Sequence, residues 1–265
     1  MSLRRARLVA IVVMLLTSGS SRAQEVSPEE MNKSNSPLNP APAINLQDYW
    51  SPSLYDVDHF TNDFLPRISK TLPPNKLLHV PQILRFTVPI STRPHGASTE
   101  TGLGDMNVFD ILLLGKAGGV QLGLGPLLTL PTASHDALGT GKWQAGLAAV
   151  GLHARPKGLL GGLIQWQTSF AGNSIRPDVS SLTVQPLLIH NLSKGYCLRS
   201  TAVWTFDLEN DHYYIPIGLG VGKVKKAGTR TMNFVLEPQW TVAHDGAGFP
   251  RFTLFAALNT QFGGH

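Results

Sequence analysis

Long stretches of this chain alternate apolar and polar residues with a period of two, and that alternation restricts the fold more than any other feature. In 196–208, Leu198, Ala202, Trp204, Phe206 and Leu208 interleave with Arg199, Thr201, Thr205 and Asp207. In 231–243, Phe234, Leu236, Trp240 and Val242 interleave with Asn233, Glu237, Gln239 and Thr241. Successive side chains of a strand point to opposite faces, so each segment reads as a strand with one apolar face. Ten such segments are readable, at about 78–90, 104–116, 119–131, 142–155, 159–172, 179–192, 196–208, 212–224, 229–243 and 250–262. The nearest candidate for a spanning helix, 158–175, carries Gln165 and Gln167, which lipid would penalise.

A soluble sandwich and a transmembrane barrel both use amphipathic strands. Segments of this length exceed the five or six residues usual in soluble domains and suit a tilted strand crossing a membrane. Connections also alternate. Those at 116–118, 156–158, 193–195 and 225–228 are short, and those at 91–103, 132–141, 173–178, 209–211 and 244–249 are longer or more polar. Outer-membrane barrels have tight periplasmic turns and longer external loops. The expected fold is therefore all-β: a transmembrane, antiparallel, up-and-down β-barrel of twelve strands. Ten are directly readable; an even count is met by ten, or by twelve if the N-terminal region contributes two.

The chain before the barrel divides in three. Arg4, Arg5 and Arg7, an apolar run at 8–16 and a small-residue site ending at Ala23 form the pattern of a secretory signal peptide, 1–23. Residues 24–45 read as a proline-rich linker, 46–77 as an irregular segment or first hairpin, and 78–265 as the barrel. The net charge of +5 rests largely on the arginines of the leader, so nucleic-acid binding has little support. One cysteine, Cys197, excludes an internal disulfide. The expected location is a bacterial outer membrane, after export and cleavage near Ala23.

On this topology Trp143, Trp166, Trp204, Tyr213, Trp240 and Phe252 point outward in the outer half, with Tyr196 and Phe262 at the periplasmic edge. Amphipathic rings settle at headgroup level, so these positions read as interfacial girdles. The inward face forms the candidate lumen or substrate path: Arg85, Asp110, Gln165, Gln167, Arg199, Asp207, Glu237, Gln239 and Arg251. Arg85 and Asp110 are expected to oppose each other across a hairpin centred between residues 97 and 98. The competing view of this face is a self-satisfied polar plug, because small barrels fill themselves with their own side chains.

Motifs for chemistry are weak. Gly139-Thr140-Gly141-Lys142 lacks the earlier glycine and the following Ser or Thr of a phosphate loop. Gly218-x-Gly220-x-Gly222 opens no helix, and reads as a bend or a thin wall. The histidines show no metal-ligand spacing. His190 and Ser200 fall on adjacent strands facing lipid, without an accompanying acid or oxyanion device.

Several strings, among them GLGDMNVFDILLL (102–114), GLGPLLTLPTA (123–133), LGTGKWQAGLAAV (138–150), YYIPIGLGVGKV (213–224) and EPQWTVAHDG (237–246), resemble the bacterial outer-membrane family named for the meta-pathway of phenol degradation. The resemblance covers about 78–262 and departs at 24–77. It implies an outer-membrane barrel that passes aromatic or other hydrophobic compounds, and it carries no catalytic motif. The expected function is a narrow passive channel for small hydrophobic or aromatic solutes. A non-conducting structural barrel is the alternative and a membrane-embedded lipid hydrolase a distant third. No enzyme activity, cofactor, metal or nucleic acid is expected. The expected partners are membrane lipid and lipopolysaccharide, the outer-membrane insertion machinery and a small hydrophobic solute, with the oligomeric state left open.

Overall fold

A computed structural model of the chain describes residues 26–263. The leader expected at 1–23 lies outside these residues. Twelve strands form one closed antiparallel sheet: β1 (Ala43–Leu54), β2 (Thr61–Leu72), β3 (Gln82–Thr87 continuing as Ile90–His95), β4 (Ser98–Leu103 continuing as Met106–Ala117), β5 (Val120–Leu130), β6 (Lys142–Arg155), β7 (Gly158–Gly172), β8 (Ser180–Asn191), β9 (Tyr196–Ser200 continuing as Trp204–Asp207), β10 (His212–Gly218 continuing as Gly220–Ala227), β11 (Arg230–Asp245) and β12 (Pro250–Phe262). Neighbours in sequence pair throughout, and β1 pairs with β12 from Ala43↔Gln261 to Leu54↔Pro250. Closure leaves no sheet edge. The two strands beyond the ten readable ones are the β1–β2 hairpin.

The outward face is the apolar one, as a lipid-facing wall requires. Leu147, Ile164, Trp166, Leu188, Ile217, Trp240 and Val242 are all exposed there. No helix of the described residues is long and apolar enough to cross a membrane.

The hairpin of β3 and β4 corrects the sequence reading. Residues 91–103 are not a loop: the strands run on to a tight turn at Gly96-Ala97, with His95 opposite Ser98. The ladder then gains a residue on β4 near Gly104, because Ile90 pairs with Leu103 but Thr87 pairs with Asn107. Such an extra residue is a β-bulge. Arg85 consequently faces Phe109, and Asp110 stands opposite Leu84 on the outer wall. A shift of one residue reverses every facing, which is why the expected Arg85–Asp110 pair does not exist.

Residues 24–45, read as a linker, contain helix α1 (Pro28–Asn35). Its start is well specified. Ser27 accepts from the backbone N–H of Glu30, the Glu30 carboxylate accepts from the N–H of Ser27, and Pro28 occupies the first turn. The helix lies inside the barrel, at the end where β12 finishes. Met31 and Leu38, 2% and 1% exposed, pack with Phe109, Ile111, Val150, Leu159 and Ile189 of the inner wall.

Candidate functional site

The lumen is divided by this N-terminal plug. Polar contacts pin it around its circumference. Asn32 Nδ2 donates to the Arg155 carbonyl at 2.8 Å, and Asn191 Nδ2 donates to Asn32 Oδ1 at 2.8 Å. Asn233 Nδ2 donates to Asn35 Oδ1 at 2.8 Å, Asn259 Nδ2 to the Ser34 carbonyl at 3.2 Å, and Lys226 pairs with Glu30. The hydrogen bond from Lys226 holds the Glu30 carboxyl below the usual range, aided by the Ser27 N–H.

Beyond the plug a cavity of about 850 Å³ fills the rest of the lumen. Its floor is the Ser34–Ala41 stretch and its sides are mixed. Tyr49, Phe109 and Phe255 give aromatic faces, with the rings of Tyr49 and Phe255 4.6 Å apart. Gln47, Asn107, Gln165, Gln167 and Gln185 give amides. Part of the far mouth is covered by the loop 131–141, whose Leu138 is buried against β4. Arg176 holds that loop by donating to the carbonyls of Asp136, Gly139 and Thr140, at 2.9, 2.6 and 3.2 Å. Asp105 accepts from the Thr140 N–H at 2.7 Å and from its hydroxyl at 2.9 Å. Outside the strands, a hydrogen bond from Lys142 keeps the Asp178 carboxyl below its ordinary range.

One wall is built unlike the rest. The ladder lapses on both sides of Thr201–Val203, between the two halves of β9. Side chains take its place. Glu237, fully buried, accepts from the Thr201 N–H at 2.8 Å and from the Thr201 hydroxyl at 2.7 Å. Arg199 donates to the same carboxylate at 3.2 Å, and Gln185 Nε2 donates to the Thr201 carbonyl at 3.0 Å. To reach Thr201, Glu237 of β11 must cross the intervening strand β10. Gly218 and Gly220 leave the space: a Cβ on Gly218 would stand 2.2 Å from Glu237 Oε1, and one on Gly220 2.5 Å from Glu237 Cβ. That is the role of the alternating glycines in 218–222, with Gly222 leaving room for Cys197.

These features describe a closed twelve-strand barrel with a plugged, partly open lumen. A solved structure with this architecture is the COG4313 outer membrane channel from Pseudomonas putida F1. The two superpose with a TM-score of 0.63 at 15% identity, over 84% of this chain and 96% of that one. The likeness is one of fold, a closed twelve-strand outer-membrane type of barrel. The β domain of the Bordetella autotransporter BrkA is less similar, with a TM-score of 0.43 at 12% identity over 83% of this chain and all of that one. No family model and no curated protein matches the sequence.

Within this barrel the candidate path residues separate into four groups. Arg85, Gln165, Gln167 and Arg199 line the cavity. Glu237 and Gln239, 0% and 3% exposed, are sealed in the wall rather than presented to the lumen. Asp207 and Arg251 sit at the loop end. Asp207 accepts from the N–H groups of Glu209 and Asn210, capping a turn, and Arg251 donates to the Leu54 carbonyl at 3.0 Å, above the Tyr55 ring. Asp110 faces outward. Of the girdle set, Trp143, Trp166 and Trp240 are exposed on the outer wall at the loop end. Trp240 and Phe252 are in ring contact at 5.5 Å. Trp204 donates to the Pro216 carbonyl at 3.0 Å, Tyr213 pairs with Phe206, and Phe262 lies at the opposite rim beside Arg230.

His190 and Ser200 border a groove on the outer wall, but no hydrogen bond joins them among the described residues. No cluster of three metal-ligating side chains occurs among those residues. Sequence reasoning missed Tyr49, Arg67 and the Asp63–Arg93 pair, in which Arg93 Nη2 lies 2.8 Å from Asp63 Oδ1. The signal in β2 was available: Phe64, Pro66 and Ile68 alternate with Asp63, Arg67 and Ser69. Leu65 among the inward residues and Lys70 among the outward ones blur it.

Proposed function

We propose that this protein is a passive outer-membrane channel for small hydrophobic or aromatic solutes, related to the family of the phenol meta-pathway. The observation that carries the reading is the cavity itself. A closed barrel holds about 850 Å³ of lumen where aromatic rings stand among amide and charged side chains, a size and lining that suit a small ring-bearing solute. The chain is exported with its leader removed near Ala23. It sits with the tight turns, and the end of the lumen that α1 fills, on the periplasmic side, and Trp143, Trp166 and Trp240 settle at the outer headgroups, against lipopolysaccharide. It carries no catalytic role, and outer-membrane insertion machinery folds it.

The plug gives the second reading its own support. Met31 and Leu38 seal one end of the lumen, which is what a non-conducting barrel would contain. Planar-bilayer recordings on the full chain and on a variant lacking residues 26–41 decide between the two. For a channel, the full chain conducts and passes phenol into proteoliposomes, and the deletion raises conductance. If the full chain is silent and only the deletion conducts, the structural barrel is the correct description.

A further inference from the structure

The cavity contains two cations that no described residue neutralises. Arg67 of β2 and Arg85 of β3 both line it, on adjacent strands and diagonal to each other, since Arg67 pairs with Thr87 and Ser69 with Arg85. The acids of this lumen are already engaged. Asp63 holds Arg93, Glu237 holds Arg199 and Thr201, and Asp105 holds the backbone and hydroxyl of Thr140. Among the described residues neither Arg67 nor Arg85 meets a carboxylate. Arg67 Nε is buried without any hydrogen-bond partner. Among the same residues Arg85 donates to the Ser69 hydroxyl alone, at 3.1 Å, and stacks over Phe109 with 4.6 Å from guanidinium carbon to ring centre.

Uncompensated charge inside a protein is costly, and two like charges side by side add repulsion. A pair of guanidinium groups held open to a cavity is relieved when an anion enters. The fork of each guanidinium matches the two oxygens of a carboxylate, which it binds through parallel charge-assisted hydrogen bonds. The neighbouring surface decides the rest of the ligand. Phe109 lies beneath Arg85, and the Tyr49–Phe255 pair lies on the strands beyond Arg67, so flat apolar faces adjoin the cationic spot. A fully polar anion such as phosphate would leave these faces unused.

We infer that Arg67 and Arg85 form a binding site for small aromatic carboxylates, with the carboxylate between the guanidinium groups and the ring against the aromatic wall. As the solute class of the channel this rests on the function proposed above. As a binding site it is measurable without conduction.

The test uses the full chain folded in detergent, with benzoate, benzyl alcohol and inorganic phosphate as probes in titration calorimetry. Benzoate should bind more tightly than either of the others. R67Q/R85Q should weaken benzoate about tenfold or more while leaving benzyl alcohol unchanged. R67K/R85K, which keeps the charge without the fork, should fall between. Heat-modifiable migration on gels reports folding, and the single variants R67Q and R85Q serve if the double variant fails to fold. In bilayers under a potassium chloride gradient, the unaltered chain should prefer anions and R67Q/R85Q should lose that preference. Binding that is lost with the arginines in a silent barrel upholds the site and removes the channel. Benzoate binding no tighter than benzyl alcohol, equal binding of phosphate, or benzoate affinity unchanged in R67Q/R85Q overturns the inference.

Discussion

The arc from β5 to β8 and the arc from β9 to β11 solve the same problem in different ways. In the first, pairing is nearly continuous, as in the run from Ser180↔Thr168 to His190↔Gly158. Backbone bonds make the wall, and side chains merely decorate its faces. In the second, the ladder fails at Thr201–Val203, and a buried carboxylate reaching across β10 completes it. A sheet tolerates such a gap only where every freed backbone group finds a partner, since lipid offers none. The regular arc should therefore be insensitive to single polar changes on its inner face, and the patched arc should depend on one residue.

The sharpest way to break that contrast is Glu237→Leu. It leaves the Thr201 N–H, the Thr201 hydroxyl and Arg199 without their acceptor, and should cost about 3–5 kcal/mol in urea unfolding. Gln165→Leu in the regular arc should change stability by less than about 1 kcal/mol in the same assay. Equal losses would mean that the patch is ornamental. Next in size, Leu147→Arg places a charge on the lipid face of the regular arc and should cost about 2–4 kcal/mol in bilayer refolding. Smaller again is Gly218→Ala. The added methyl displaces the Glu237 carboxylate and should cost about 1–3 kcal/mol. In a Glu237→Leu background the same change should cost much less, so a double-mutant cycle reads the coupling directly.

The smallest effect concerns the plug. Glu30 has its carboxyl pKa lowered on folding, so its contribution is present above the unfolded value near 4.5 and disappears as pH falls through the folded value. With both partners about a third exposed, the Lys226–Glu30 pair should be worth under about 1 kcal/mol. Hydrogen exchange of the 28–35 amides should quicken modestly in acid, and Glu30→Gln should remove that dependence.

The strands from β5 onward were legible because in their cavity halves lipid-facing residues such as Ile164 and Trp166 alternate with lumen-facing Gln165 and Gln167, a clean period of two. Legibility failed where the interior ceased to be polar. Phe109 and Ile111 face inward against Met31 and Leu38, so the rule that apolar residues face lipid placed Asp110 on the wrong side. The bulge near Gly104 left no mark in the hydrophobic pattern. The capping box at Ser27–Glu30 did mark the helix, yet nothing local says that a helix with mean polar character will lie inside a barrel. Arg85 was visible as a lumen residue, but Arg67 was hidden in a hairpin whose alternation is interrupted. Its lack of a partner is a fact of three dimensions only.

The plug also sets an order of events. Its bonds to Asn233, Asn259 and Gln261 join residues 198 to 228 positions apart, all on the last two strands. Contacts so distant along the chain form late, because the intervening loop must first be closed. Docking of α1 and zipping of the β1–β12 seam should therefore share one final, slow kinetic phase, so that a probe on the helix would keep time for the seam.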